Sequence, residues 1–252
     1  MLAGGHGTRL HPITSWLNKH LYPITYNGKA KPVIDFALEA LKEAGITEVG
    51  IVLGDFRCED IFSYLKDGSE RGMKFSYFWQ GEPLGIAHAV TCAKDFVKGH
   101  NKFLVYLGDN FFSNGISEFA KECNLRSYIS YDSMYQDVGV LFAKTKTPER
   151  FGCPKFKNKY KRTLLKVEEK PKNPQSNLAI SGCYCFNDKT FFEEFKRLKP
   201  SSRGEYELTD MINNFIKYDP KSVFWQIYDG FWSDMGTFES IMEVQKWLEE
   251  EK

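Results

Sequence analysis

The 252-residue sequence predicts an α/β fold built on a mixed, mostly parallel sheet. Short runs rich in β-branched and aromatic residues alternate with segments whose apolar residues recur at helical spacing. The apolar share of 42% lets a chain of this length bury a large core without disulfides or a structural metal. No repeat, low-complexity tract or Gly/Ser linker divides the chain. A single domain over residues 1–252 is therefore expected, with its functional parts sharing one core.

Strand-like runs lie at 49–53, 75–79 and 103–107. Between them, residues 32–41 carry apolar side chains at helical spacing, with Pro32 suited to the first turn and Gly45 to the end. Residues 86–97 read as a second helix. This alternation is that of βαβ units. From about Val138 the texture changes, with strand-like runs at 138–143, 164–169 and 180–186. Helices are then predicted over 188–198 and 205–218, a strand over 222–227 and a last helix over 237–249.

With 34 basic and 33 acidic side chains, the net charge of +1 gives no support for a nucleic-acid-binding surface. The six cysteines form neither a CxxC pair nor a zinc spacing, and Cys183 and Cys185 would share one face of a strand as small apolar packing. There is no signal peptide and no long apolar run, so no membrane partner is expected and a reducing cytoplasm is the expected location.

The segment with most chemistry is Gly4-Gly5-His6-Gly7-Thr8-Arg9-Leu10, followed by Pro12, Thr14, Lys19, Pro23 and Ile24. A glycine-rich turn directly after a strand lets backbone N–H groups approach a phosphate without Cβ obstruction. Arg9 and Lys19 add positive charge where a pentavalent phosphorus would become more negative. Two other glycine-rich motifs do not fit. The dinucleotide fingerprint needs a third glycine where Leu10 stands, and the P-loop's Gly-Lys-Ser/Thr is absent.

With Leu21-Tyr22-Pro23-Ile24, this constellation resembles the signature of the sugar-phosphate nucleotidyltransferases, and within them the glucose-1-phosphate thymidylyltransferases. The likeness runs through nearly the whole chain. It includes Asp67-Gly68-Ser69 with Gly72, Gln80, Gly85-Ile86-Ala87, Leu107-Gly108-Asp109-Asn110 and Pro148-Glu149-Arg150-Phe151-Gly152. It continues through Glu168-Glu169-Lys170-Pro171, Ser176-Asn177, Gly182, Arg203-Gly204-Glu205, Thr209-Asp210 and Trp232-Ser233-Asp234-Met235-Gly236-Thr237.

The resemblance implies a Rossmann-like three-layer architecture of the nucleotide-diphospho-sugar transferase type. It also implies an enzyme whose substrates are a nucleoside triphosphate and a sugar 1-phosphate. Leu2, Ala3, Gly4, Gly5, Gly7, Thr8 and Arg9 would hold the triphosphate, and Gln80 and Gly85 would face a pyrimidine base. Arg9, Lys19 and Asp109 would be catalytic, with Asp109 and Asp234 holding Mg²⁺. Gly152, Glu169, Lys170, Gly182 and Arg203 would meet the sugar phosphate. An ion pair to a nearby carboxylate is an equal reading of Arg203, and a solvated charge run is the plainer reading of residues 168–170 taken alone. On this basis residues 1–137 form the nucleotide-binding part and 138–252 the sugar-phosphate-binding part. A homo-oligomer, dimer or tetramer, is the expected assembly.

Several positions depart from the family pattern. His20 stands where many thymidylyltransferases carry Gln, and it reads as a satisfied structural histidine. Leu84 replaces an acidic residue common before Gly85, and residues 125–136 are longer and richer in Tyr and Ser than usual. Pro154 points to an edge or bulged strand. Two carboxylates in one site repel, so replacing either by Asn is expected to relieve the metal-free protein. Two rival readings stay open: UTP or another sugar phosphate with the same chemistry, and a non-catalytic nucleotide-sugar-binding regulatory subunit.

Overall fold

A computed structural model describes residues 1–128, 136–157 and 163–250. The chain opens with β1 (Leu2–Ala3), β2 (Pro23–Tyr26), β3 (Lys29–Pro32), α1 (Val33–Glu43), β4 (Glu48–Leu53), α2 (Cys58–Leu65) and β5 (Lys74–Trp79). Next come α3 (Ile86–Cys92), α4 (Lys94–Val97), β6 (Lys102–Tyr106), β7 (Phe111–Phe112), α5 (Ser117–Tyr128) and β8 (Val138–Lys144). It continues with β9 (Gly152–Phe156), β10 (Leu164–Glu169), β11 (Leu178–Asn187), α6 (Asp188–Phe195) and α7 (Leu208–Tyr218), then β12 (Val223–Ile227), β13 (Trp232–Ser233) and α8 (Phe238–Glu250). These elements sort into two compact units, Met1–Pro83 with Tyr106–Ser117 and Gly230–Lys252, and Leu84–Val105 with Glu118–Asp229.

In the first unit, β1, β4 and β5 form a parallel sheet with Leu2 opposite Val52 and Ala3 opposite Leu53. The β4 run from Val49 to Leu53 is buried throughout, as a strand covered on both faces must be. The hairpin of β2 and β3 turns on Asn27-Gly28, both at positive φ, a pair suited to a two-residue loop. α1 starts after Pro32 and stops before Gly45, whose φ of 79° ends it. One apolar cluster joins Leu10, Ile24, Val33, Phe36, Phe111, Met235, Ile241, Val244 and Leu248, so it draws on all three sequence segments of the unit.

The second unit holds a four-stranded sheet in the order β12-β8-β11-β6. β8 runs parallel to β12 and antiparallel to β11, and the β11 register shifts between Ile180 and Tyr184, around Gly182 at φ 74°. Gly139 allows β12 to lie close, since a Cβ there would fall 2.4 Å from the Phe224 ring. Pro154 sits in the antiparallel pair β9 and β10, whose register slips between Leu164 and Lys166. Cys183 and Cys185 are buried on one face of β11.

The mixed α/β fold expected from the sequence is the fold observed, with local differences. The helix predicted over 86–97 is broken at Ala93. Within its last turn the Thr91 hydroxyl donates to the His88 carbonyl at 2.6 Å, competing with the backbone ladder. The helices predicted to start at 205 and to end at 198 are shorter, over Leu208–Tyr218 and Asp188–Phe195. Helices α2 and α5 were not anticipated. Residues 125–128 of the unassigned 125–136 stretch continue α5, whereas residues 129–135 lie outside the described residues.

The cluster under the first unit gives a direct test. Leu10 is fully buried in it, so Leu10→Ala should lower unfolding free energy by about 2–5 kcal/mol in a denaturant melt. A loss under about 1 kcal/mol would show that the cluster does not anchor the loop that precedes Leu10.

Candidate functional site

The glycine loop leaves β1 with its backbone pressed against neighbours on both sides. A Cβ on Gly4 would lie 3.0 Å from the Gly54 nitrogen, and one on Gly54 would lie 2.3 Å from the Gly4 oxygen. On the other side, a Cβ on Gly5 would stand 3.0 Å from Lys19 Cε and Nζ, and one on Gly7 would stand 3.0 Å from Lys19 Cβ. The glycines therefore let the loop fold closely along the Lys19 stem. Gly7 has φ 68°, and its carbonyl accepts from the Thr14 hydroxyl at 2.7 Å. A 3-10 turn over Thr8–Leu10 then presents Arg9 outward, 56% exposed, and buries Leu10.

Lys19 donates to Asp109 Oδ2 through a short contact, with both side chains largely covered at 14% and 13% exposure. Burial alone would raise the Asp109 carboxyl. The Lys19 ammonium and its hydrogen bond, together with His20 and the backbone, outweigh it, so the group stays below its ordinary range and remains ionised. Asp109 Oδ1 accepts from Asn110 Nδ2 at 3.0 Å, and Asn110 Oδ1 accepts from the Trp232 indole at 2.8 Å. The antiparallel pair β7 and β13 sets Trp232 opposite Phe112 and Ser233 opposite Phe111. Asp234 directly follows β13, and Asp109 and Asn110 directly precede β7, so both acids flank the same end of that ladder. Asp234 is 12% exposed and its Oδ2 lies 3.7 Å from Arg9 Nη1. A Cβ on Gly236 would fall 2.8 Å from Arg9 Nη2, so the missing side chain makes room for the guanidinium.

His20 is buried, and its ring Nδ1 lies 3.1 Å from Asn18 Oδ1, which also accepts from the His20 backbone N–H at 3.1 Å. Burial, with the Lys19 ammonium beside it, lowers the ring from 6.5 to about 3. It is a neutral structural group. Asn18, itself buried, went unremarked in the sequence; its amide also donates to the Phe56 carbonyl at 3.1 Å. Its signal was its place as the residue before Lys19, a cap of the 3-10 turn over Lys19–Leu21. Gln80 donates from its backbone to Leu53 at 2.9 Å, and its side-chain Oε1 stands 3.4 Å from a Cβ built on Gly4.

The second unit gathers the residues expected to meet the sugar phosphate. Gly152 pairs with Glu169 across β9 and β10, and the Lys170 N–H donates to the Phe151 carbonyl at 3.0 Å. Glu169 Oε2 accepts from the Thr209 hydroxyl at 3.2 Å, and Lys170 Nζ lies 3.6 Å from Glu169 Oε1. Burial pushes the Glu169 carboxyl up. A Cβ on Gly152 would meet Thr209 Cγ2 at 2.8 Å and Ile180 Cδ1 at 3.0 Å, so the glycine is needed for packing. Arg203 Nη2 lies 2.8 Å from Glu207, 3.6 Å from Glu205 and 3.5 Å from Glu169. Glu207, which helps hold this group together, was not singled out in the sequence, and Thr209 was quoted in a motif without a role of its own. Gly85 has φ 99° and packs on Tyr206, whose N–H donates to the Leu84 carbonyl at 2.8 Å. Among the described residues no group of three or more His, Cys, Asp and Glu is arranged to hold a metal, and no helix is long and apolar enough to cross a membrane.

A family model described as nucleotidyl transferase matches residues 1–251, and the chain belongs to that family. It is 38% identical to the low-salt glycan biosynthesis nucleotidyltransferase Agl11 of Haloferax volcanii, over 100% of this chain and 66% of that protein. It is 36% identical to a glucose-1-phosphate thymidylyltransferase of Streptomyces griseus, over 98% of this chain and 64% of the relative. The chain thus spans slightly under two thirds of these two relatives. A Bacillus anthracis protein described as a glucose-1-phosphate thymidylyltransferase, crystallised with sucrose, superposes with a TM-score of 0.85 at 36% identity, covering 98% of this chain and 93% of that one. A UDP-glucose pyrophosphorylase crystallised with UDP-glucose gives 0.79 at 25% identity, over 100% and 97% of the two chains. The architecture is that of the nucleotide-diphospho-sugar transferases.

The His20 environment sets a pH dependence. Its pKa is lower in the folded chain than in the unfolded one, so as pH falls below about 6.5 the unfolded chain takes up a proton that the folded chain refuses. Stability is therefore lost on the acid side, by about 2 kcal/mol at pH 5 from this residue. His20→Gln should remove that part. The parent-minus-variant difference in unfolding free energy should change by that amount between pH 7.5 and pH 5. A difference flat with pH would mean that His20 titrates normally in the folded protein.

Proposed function

We propose that the chain transfers a nucleotidyl group from a nucleoside triphosphate to a sugar 1-phosphate, releasing pyrophosphate. The favoured pair is dTTP and glucose 1-phosphate, giving dTDP-glucose. The observation that carries the reading is Lys19 lying along Gly5 and Gly7 with its ammonium on Asp109. It sets a fixed cation beside a backbone that can approach phosphate closely. Membership of the nucleotidyl transferase family and the names of the relatives point the same way.

In this reading Leu2, Ala3, Gly4, Gly5, Gly7, Thr8 and Arg9 bind the triphosphate, and Gln80 and Gly85 face the base. Gly152, Glu169, Lys170, Gly182 and Arg203 take the sugar phosphate. A phosphate oxygen of the sugar phosphate attacks the α-phosphorus, one P–O bond forms, and the bond to pyrophosphate breaks. That oxygen is already an anion, so no general base is required, in keeping with a neutral, buried His20. Arg9 and Lys19 balance the negative charge that grows on the α-phosphoryl group. Arg203 is held by three carboxylates, which suits orientation of Glu169 as well as direct contact with phosphate.

Asp109 and Asp234 suit a divalent cation such as Mg²⁺. They are hard oxygen donors that flank the same end of the β7–β13 ladder, and Mg²⁺ usually takes one or two protein carboxylates and leaves the rest to phosphate and water. When bound, the cation would neutralise charge on the phosphates. We assign the activity to the cytoplasm and the assembly to a dimer or tetramer.

Magnesium-dependent pyrophosphate release that requires both substrates is the decisive measurement; release without a sugar phosphate, or none at all, would refute the reading. In a panel of triphosphates, dTTP and UTP should outperform CTP, ATP and GTP, because an amide at Gln80 matches a thymine or uracil edge. Equal turnover with GTP would remove Gln80 as the base reader. Asp109→Asn and Asp234→Asn should each lower turnover about a hundredfold or more, the scale of losing one electrostatic contact to a transition state. Relief of repulsion is not expected on folding, since each carboxylate already faces its own cation. Asp109→Asn leaves the covered Lys19 without its counter-charge, so its melting temperature should fall, and more than that of Asp234→Asn, whose partner Arg9 is exposed. Near-normal turnover in either variant would exclude that residue from the site.

A further inference from the structure

In the run Gly4-Gly5-His6-Gly7, His6 is the one residue with a side chain beyond hydrogen, and so the one that can fasten the loop through more than its backbone. Its Nε2 lies 2.8 Å from Asp55 Oδ1. Its ring stacks on Phe56 at a centroid distance of 6.2 Å and an interplanar angle of 28°. Both partners belong to the short segment that follows β4, where Gly54 already touches Gly4 through backbone alone. The same segment reaches Lys19 from the other side, because the Phe56 carbonyl accepts from Asn18, the residue that caps the turn carrying Lys19. Residues 54–57 thus touch both the glycine loop and the root of the lysine that lies along it.

Stability does not explain this arrangement. His6 and Asp55 are 44% and 54% exposed, and an exposed polar contact contributes little to folding. Simple charge attraction for the ligand does not explain it either, since a carboxylate beside a triphosphate loop repels the incoming anion.

We propose that His6 and Asp55 form a clasp that holds the glycine loop in its binding conformation before the nucleotide arrives, making both positioning residues. The proposal rests on reading this loop as the triphosphate site. A loop with three glycines in four positions loses much backbone freedom when it closes on a ligand, and a clasp removes part of that loss in advance.

The two effects of Asp55 have opposite signs, which makes the test sharp. If Asp55 acts by repulsion, its removal lowers the KM for dTTP; if it acts as a clasp, removal raises it. Pyrophosphate release with dTTP and glucose 1-phosphate should show His6→Ala and Asp55→Ala each raising the dTTP KM about fivefold to tenfold. kcat should stay within about twofold, and the KM for glucose 1-phosphate should not move. Asp55→Asn keeps an oxygen acceptor for the imidazole and should restore most of the affinity. The double alanine variant should be no worse than His6→Ala alone, because Asp55 acts only through His6. An unchanged or lower dTTP KM in Asp55→Ala overturns the clasp, as does a double variant whose losses multiply. Amide hydrogen exchange over residues 4–9 in the nucleotide-free protein reads the loop without turnover. It should quicken in both alanine variants and stay near the parent rate in Asp55→Asn. If the parent releases no pyrophosphate, the functional reading fails while the exchange measurement still decides the clasp; equal exchange in parent and Asp55→Ala would end it.

Discussion

Much of the first unit depends on one apolar cluster that holds charged residues from distant parts of the chain in register. Leu10 follows Arg9, Phe111 lies two positions after Asp109, and Met235 follows Asp234, and all three apolar residues belong to that cluster. Burial of these anchors provides a favourable term that offsets the cost of bringing charges together. The charges then sort into opposite-signed pairs, Lys19 with Asp109 and Arg9 with Asp234. The two pairs differ in exposure. Lys19 is covered and fixed along the glycines, whereas Arg9 is largely open and free to reorient toward a ligand.

Much of the fold was legible because its signals are local. The buried runs of β4 and β8 are apolar throughout, and the ends of α1 carry Pro32 and Gly45. What escaped the sequence is what local signals do not encode. β7 and β13 have two residues each, too few to show any periodicity, yet their antiparallel pairing puts Asp109 and Asp234 at the same end of one ladder. α2 begins after Arg57 in a left-handed conformation, and its apolar Cys58, Ile61, Phe62 and Leu65 repeat at helical spacing for only eight residues, too short a run to have been read as a helix. The helix over 86–97 looked continuous because hydroxyl competition at the His88 carbonyl leaves no trace in an apolar pattern.

The candidate site shows the same division. The family resemblance picked out Arg9, Lys19, Asp109 and Asp234, but it could not say which cation faces which carboxylate, because Lys19 and Asp109 stand 90 positions apart. For that reason repulsion between the carboxylates looked dominant in the sequence, while the structure compensates each separately. Asn18 and Glu207 were passed over, and Thr209 was quoted without a role, for a related reason. Each holds another polar group in place, a role that depends on contacts fixed only once the chain has folded.

The first unit is assembled from three stretches of sequence, the last of which supplies Met235, Ile241, Val244 and Leu248 to its core. On a ribosome these residues emerge after the whole second unit has been made. The glycine loop is synthesised before the second unit, yet the core beneath it stays unfinished until residues 235–248 have followed. Domains generally fold as units during synthesis, so the second unit can mature while the apolar face of the first waits in the open. The nascent chain therefore carries exposed Leu10, Ile24, Val33 and Phe36 while the whole second unit is made, which makes this protein a natural client for chaperones that shield hydrophobic surface.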